Sequence, residues 1–455
     1  MLRTNNNEYR DPFENCFDPE LFQLSAELQK VDELLNDSRI FQPFKERFDT
    51  KIGRSSVPVS TYLRMMFLKD RYQFGYESLV DEVKDNIKWR RFCQIPVDKK
   101  VPHPTTLSKL TQKYGPEIIE AVNRQLLDQL RSKKILNGKK LRIDSTVVES
   151  NIHYPTDAGL LSDSIKKITK IVKEIKEQGA AAKTKFRDRT RTVRKTILNL
   201  CKNLRKKATT KKESIKEQTK KLLTIIQDVL KQAKDVVKDT AQDAKEDIFD
   251  GIKALFDDLN KFTDIAEHIQ EQTQKVLENQ GNTIKSRIVS IFDTTARPIK
   301  KGKLGIKCEF GNKIVVQDTD QGIITGYQIL EENPSDTNLI DEAIEQHVTV
   351  FDKPPDEVTT DRGFSSAENE VKLKEIIKRV SMPKRGKLDA ERKQYQKQHW
   401  FRRLQRFRAG CEAKISLLKR KFGLRRSRLR GFRGINIHVG WGILTHNLWQ
   451  TARIT

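Results

Sequence analysis

The chain is poor in the features that mark secreted, membrane-spanning or zinc-stapled proteins. Its five cysteines, Cys16, Cys93, Cys201, Cys308 and Cys411, are scattered over 455 residues, and no two form a CxxC pair. An odd, dispersed set suggests neither a disulfide framework nor a zinc site, so a reducing, intracellular setting is expected. The opening stretch MLRTNNNEYRDPF lacks the apolar centre of a secretory signal. No run of about 18 apolar residues occurs, so no membrane span is expected. Phosphate-loop, HExxH and GxSxG patterns are absent too, which leaves ATP use, zinc proteolysis and serine hydrolysis without support. Proline is missing between Pro155 and Pro298, and acids are scarce near the C-terminus.

That second scarcity is informative. Residues 384–433 hold 19 Lys and Arg against three acids, Asp389, Glu391 and Glu412. The whole chain has a formal net charge of +26, so much of the excess is concentrated in this window. Clustered positive charge points to a polyanionic partner, nucleic acid above all, with a solvated basic face as the plain alternative. The length suggests two or three domains.

Residues 1–135 read as a helical domain. "ELFQLSAELQKVDELL" and "PVSTYLRMMFLKDRYQFGYESLVDEVKD" place apolar residues at helical spacing, with Gly75 as a break. "HPTTLSKLTQKYG" adds a start at Thr105 or Thr106 and a stop at Gly115. Short helices with basic outer faces suit a helix-turn-helix-like DNA binder, or a plain bundle. "KKLRIDSTVVES" (139–150) then reads as a strand around Asp144. Residues 160–285 form a helical insertion. Ile165, Ile168, Val172 and Ile175 recur at three and four. Breaks near Gly179, "ATTKK" and Gly251 allow either a hairpin, with arms of about 60 residues reaching roughly 90 Å, or a small bundle. DNA grip, dimer contact and spacer are the roles open to it.

Strand texture resumes at "RIVSIFD" (287–293) and continues through "GIKCEFGNKIVVQDT" and "GIITGYQIL", with Gly311-Asn312 as a hairpin turn. A helix opens at Ser335 or Asp336, a short strand leads to Asp361, and helix, strand and a long helix ending at Gly423 follow. The apolar stretch from "GINIHVGW" onward reads as a last helix against the core. The expected fold is multidomain α+β: a helical N-terminal domain, then a ribonuclease H-like mixed α/β core (136–159 and 286–455) interrupted after its first strand by the insertion. In that topology the first and fourth strands are neighbours. Asp144 and Asp361 would therefore meet, with Glu412 brought across from them by the long helix. Three carboxylates in one place repel unless a cation sits among them. Oxygen-only ligands select Mg²⁺ or Mn²⁺, and two such ions suit phosphoryl transfer. Each acid taken singly reads as a turn, cap or solvated residue; their order and basic context carry the assignment.

The sequence resembles the DDE transposases of bacterial insertion sequences over most of the chain outside the insertion. "IDSTVVESNIHYPTDAGLL" resembles the family's first-aspartate block, "ARPIKKGKLG…CEFGNKIVV" the strand region after it, and "TTDRGFSS" the second-aspartate block. "RAGCEAKISLLKRKFGLRRSRLRG" resembles the glutamate block, in which part of the family carries Tyr, two residues, Arg, three residues, Glu, six residues, Lys. Arg408, Glu412 and Lys419 keep that spacing, whereas Gln405 replaces the Tyr. The resemblance implies a metal-dependent transposase with Asp144, Asp361 and Glu412 as catalytic metal ligands to two Mg²⁺ or Mn²⁺ ions. It implies DNA contacts for Arg408 and Lys419, and a helical region that reads terminal inverted repeats. The basic context extends the DNA-binding set to Arg362, Lys384, Arg385, Arg425 and Arg426. Double-stranded element ends and target DNA, a homodimer or larger assembly on them, and a bacterial cytoplasmic, nucleoid-associated setting complete the expectation. A catalytically silent transposase descendant that only binds DNA, and a nuclease of the same fold, are the alternatives. Of the remaining residues, His153, Tyr154 and Trp400 could contact DNA or make local contacts, and His438 and His446 read as packed histidines.

Overall fold

The computed structural model describes residues 1–4, 18–49, 55–203, 208–243, 246–278, 284, 286–300, 308–384 and 386–455. They divide into two compact units, Met1–Asn151 with Asn312–Thr455, and Ile152–Gly311.

In the first unit the helical spacing is realised as α1 (Ala26–Leu35), α2 (Gln42–Arg47), α3 (Val59–Arg71), α4 (Tyr76–Asp85), α5 (Ile87–Phe92) and α6 (Pro104–Ser132). Ser25 caps α1 by accepting from the Leu28 amide at 3.3 Å. The start of α6 differs from expectation. His103 is its cap, accepting from the Thr105 amide at 3.3 Å. Pro104 then fills the first helical position, where a missing N–H is harmless. Gly115 does interrupt the helix, at φ 72° and ψ 179°, and Pro116 restarts it. These helices bury Val31, Met65, Phe67, Val122 and Leu126 in one apolar cluster. Trp441 and Leu448 of the last helix, α15 (Gly431–Ile454), belong to the same cluster.

The sheet of this unit is built from β1 (Lys140–Glu149), β3 (Cys308–Asp318), β4 (Ile324–Ile329), β5 (Glu357–Thr359) and β6 (Arg379–Ser381), in the order β4-β3-β1-β5-β6. β3 and β4 are antiparallel, while β1–β5 and β5–β6 are parallel. The strands alternate sides with period two. Val315 joins Leu141, Ile143, Ile340 and Leu373 in a cluster with α11 (Ile340–Phe351) and α12 (Ala367–Ile376). Ile314 and Val316 point the other way, into a cluster with Leu418, Phe422 and Ile443 of the segment that holds α14 (His399–Lys421) and α15. A short helix, α13 (Ala390–Lys397), precedes α14. The Gly311-Asn312 turn is not formed, because both residues lie inside β3. The buried Asn312 side-chain nitrogen donates to the Leu330 carbonyl at 3.0 Å, which ties the residue into the sheet. The reversal falls at 319–322 instead, where the Gly322 amide donates to the Thr319 carbonyl at 2.9 Å and Gly322 takes φ 73°.

His438 and His446 are packed, as their apolar setting suggested. His446 is fully buried and its pKa is pushed down to about 3, chiefly by burial and next by the Lys414 ammonium. A histidine held neutral in this way contributes stability above its unfolded value near 6.5. That contribution is lost as pH falls from there towards 3, at up to about 1.4 kcal/mol per pH unit. His446→Asn should therefore give urea midpoints that decline less steeply over this range than those of the parent.

In the second unit, α7 (Asp157–Glu177), α8 (Thr190–Asn203), α9 (Ala208–Asp243) and α10 (Glu246–Leu277) form a bundle rather than one long hairpin. Ile165, Ile168, Val172 and Ile175 are all fully buried in its core. Gly179 (φ 90°) follows α7 as a break, whereas Gly251 lies within α10. The strand expected at 287–293 is absent. Ile288 and Ile291 turn into the helical core, and the Gln272 side chain bonds both the amide and the carbonyl of Ile288 at 3.0 Å. That amide takes the place of a neighbouring strand. The strand here is β2 (Arg297–Lys300), antiparallel to Cys308–Gly311. No helix among the described residues is long and apolar enough to cross a membrane.

Candidate active site

β1 and β5 are neighbours with Lys140 beside Glu357 and Arg142 beside Thr359. Two residues further along each chain come Asp144 and Asp361, so the parallel register puts the two aspartates in step. Asp144 is 7% exposed, and its Oδ1 accepts the Ser145 amide at 2.8 Å. Its carboxyl is held above the ordinary value, first by burial and then by the Asp361 charge. The Ser145 amide, Arg408 and the Cys411 thiol act in the opposite direction. Asp361 caps the short 3-10 turn Arg362–Phe364, accepting from the Gly363 amide at 2.6 Å.

Gly363 is required by space. A β-carbon there would lie 2.6 Å from Asp336 Oδ2 and 2.7 Å from Asp361 Oδ1. Gly363→Ala should displace the Asp361 carboxylate and destabilise the fold by about 1–3 kcal/mol. Thermal melting of the parent and the variant checks this; an unchanged melting temperature would refute it.

α14 lies across β1, β5 and β6. Leu404 and Cys411 are buried beneath it. Arg408 Nη2 stands 3.7 Å from Asp144 Oδ2, and the Cys411 thiol lies near enough to the same carboxylate for each to act on the other's titration. Burial, Asp144 and Asp318 together push that thiol well above its usual range. Glu412 follows Cys411 and is one turn beyond Arg408, on the exposed side of the helix; among the described residues it makes no hydrogen bond or ion pair. The structure thus brings Asp144, Asp361 and Arg408 together and leaves Glu412 at the edge of the group.

Among the described residues no three acids, histidines or cysteines are grouped closely enough to enclose a metal. Two aspartates nevertheless fit a hard divalent ion. Magnesium is commonly held by one or two carboxylates, with the other positions left to water and substrate phosphate. Burial and then the Asp361 charge raise the Asp144 carboxyl, and a cation beside it would offset both.

An open cleft of about 520 Å³ reaches Asp361 and is lined also by Arg362, Phe401, Arg402, Gln405 and Arg408. Gln405, where the motif has Tyr, points its amide at the Thr359 hydroxyl (3.2 Å), the Ser381 carbonyl (3.1 Å) and the Ser381 hydroxyl (2.9 Å), tying α14 to β5 and β6. Lys419, Arg425 and Arg426 lie elsewhere, on a second cleft of about 790 Å³ that they share with Arg428 and Tyr76. Arg426 also pairs with Glu149 at 2.8 Å. Lys384 is exposed, 3.8 Å from Asp389. Arg385 lies outside the described residues. His153 is 3.4 Å from Asp163, and the exposed Tyr154 ring meets Phe310 edge-on at 5.4 Å. Trp400 packs edge-on against Tyr395 and Phe401, as helix packing suggested.

Sequence reasoning missed Arg142 and Asp318. Arg142 Nε donates to Asp318 Oδ1 at 2.8 Å, and a second guanidinium nitrogen reaches Oδ2. Its third nitrogen donates to the Phe407 carbonyl on α14 at 2.6 Å, with the guanidinium 4.6 Å over the Phe407 ring. Gly410 allows this approach, since a β-carbon there would lie 2.9 Å from Arg142 Nη1. A signal for Arg142 existed: two residues before Asp144, it shares that aspartate's side of the strand. Nothing local marks Asp318 as its partner.

An aspartate on one strand and a second just past the end of its parallel neighbour, under an arginine-rich helix, suit an enzyme that acts on a polyanion. Two family models match the chain: "Transposase domain (DUF772)" over residues 19–113 and "Transposase DDE domain" over residues 285–448. The chain belongs to the DDE transposases of insertion sequences, which are metal-dependent polynucleotidyl transferases. The second match includes Asp361 and Glu412, and Asp144 falls outside both. No curated protein and no solved structure matches the chain.

Proposed function

We propose that the chain cuts DNA at the ends of an insertion sequence and joins the freed ends to target DNA, with Asp144, Asp361 and Glu412 as the catalytic acids. The observation that supports this reading is the β1–β5 register, since Asp144 and Asp361 each lie two residues beyond the paired Arg142 and Thr359, together with the pull of the Asp361 charge on the Asp144 carboxyl. The strand order β4-β3-β1-β5-β6 supports a ribonuclease H-like core. Two Mg²⁺ or Mn²⁺ ions bound there would make an attacking oxygen more nucleophilic and neutralise the leaving one. Asp144 and Asp361 would supply the fixed ligands, with Glu412 completing the set from α14. Arg408 now faces Asp144 and would turn to a backbone phosphate when DNA enters; Arg362, on the same cleft, would hold the next one. Lys419, Arg425, Arg426 and the exposed Lys384 would neutralise phosphates further along, and Arg385 is assigned with them from the sequence. The helices of residues 1–135 would read terminal inverted repeats in a homodimer or larger assembly that holds both ends.

The test uses a duplex carrying one element end with flanking DNA, incubated with the protein and Mg²⁺. Nicking at the end followed by joining of the 3′ strand to a second duplex is the expected result. Nicking without joining would identify a nuclease of the same fold, and tight binding without nicking a silent DNA-binding descendant.

A further inference from the structure

The four-helix unit separates its charge. Residues 183–202 hold eight Lys and Arg with Asp188 as the single acid, whereas residues 246–278 hold nine acids and three lysines. Arg191, Arg194, Lys195 and Lys202 of α8 are all exposed. At 100° per residue they fall in one stripe, about 16 Å long. The opposite side of α8 is the packed one: Val193 is fully buried, and Ile197 and Leu200 lie against the same core. The nearby acids are already engaged, Asp188 with Lys173 at 2.5 Å and Asp228 with Arg189 at 3.2 Å. The four cations of the stripe make no hydrogen bond or ion pair among the described residues. An unneutralised row of like charges repels itself, and a polyanion lying along it relieves that repulsion. Leu198 is the sole large apolar side chain exposed on the stripe. A protein partner would need a broader apolar centre, so the chemistry favours a phosphate backbone.

We infer that the exposed cationic stripe of α8 is a contact for the backbone of duplex DNA, separate from the carboxylate site. The inference rests on duplex DNA being the substrate, as proposed above. It gives the helical unit a part in holding the element, and the contact is sequence-independent, since phosphates carry no base identity.

The experiment compares the full chain with the variant R191Q/R194Q/K195Q/K202Q. Fluorescence anisotropy of a labelled element-end duplex is followed over a KCl series in EDTA, so that no cleavage enters the measurement. Four lost phosphate contacts should reduce the slope of log K against log salt by about 3–4. Nicking in Mg²⁺ at saturating DNA should be unchanged. The charge-preserving variant R191K/R194K should keep the parental slope, which separates charge loss from misfolding. An unchanged slope in the quadruple variant overturns the inference, and if its mass by light scattering also drops, the stripe meets the acidic surface of a second copy instead. Because binding is read without cleavage, a parent that fails to nick DNA would refute the catalytic reading while leaving this measurement decisive.

Discussion

Replacing Asp144 with Asn should lower Mg²⁺-dependent nicking by about a thousandfold or more while changing duplex affinity by less than about threefold. Metal-ligand loss removes several kcal/mol of transition-state stabilisation, and each 1.36 kcal/mol is tenfold in rate. DNA affinity rests on many phosphate contacts from other residues, so it should survive. Asp361→Asn should behave alike, because each aspartate lies two residues beyond the paired Arg142 and Thr359 of adjoining strands. Glu412→Gln should also abolish nicking if the exposed glutamate closes onto the site with substrate. Rate unchanged in the Asp144 variant would remove that residue from the chemistry.

The same substitution carries a second expectation of opposite sign. The Asp144 carboxyl is held above its ordinary value of 3.8 by burial and by Asp361. Its ionised form therefore opposes folding at neutral pH, and the penalty fades as pH falls through the raised folded value. In EDTA, Asp144→Asn should melt above the parent at neutral pH, with the difference closing in acid. Function at this position would then be held against stability, as at many sites. Thermal scans across pH, with and without Mg²⁺, check the sign; the added ion should stabilise the parent alone.

The second large effect concerns Arg142 and Asp318, which are 5% and 2% exposed. Arg142→Met or Asp318→Leu alone strands a buried charge, and each should destabilise the protein by about 3–5 kcal/mol. The double replacement strands neither and should cost less than either single change. Urea unfolding of the three variants measures this. A double variant as unstable as the sum of the singles would show that the two side chains act independently. The pair also fixes α14 at Phe407, next to Arg408 and one turn before Cys411, the two residues that meet Asp144. The double variant should therefore fold but nick slowly, since a small shift of the helix moves Arg408 away from Asp144.

Much of the fold was legible because periodicity is a local property. Ile165 to Ile175 repeats at helical spacing and packs as that spacing requires, and Gly115 and Gly423 stop helices where their backbone freedom is used. The failures came where side chains replaced backbone partners. The run 287–293 has strand composition, yet Gln272 takes the hydrogen bonds a ladder would have made. Gly311-Asn312 reads as a turn, yet Asn312 finds an acceptor across the sheet.

The sequence by itself determined the helical and strand segments, the concentration of positive charge and the motif spacing of Arg408, Glu412 and Lys419, because each depends on residues close together along the chain. Only the tertiary structure decided that Asp144 and Asp361, 217 positions apart, stand in step, that Arg142 finds Asp318, and that Glu412 remains at the exposed edge. Those outcomes depend on strand register and helix placement, which are set by burial across the whole unit and by no single stretch of it.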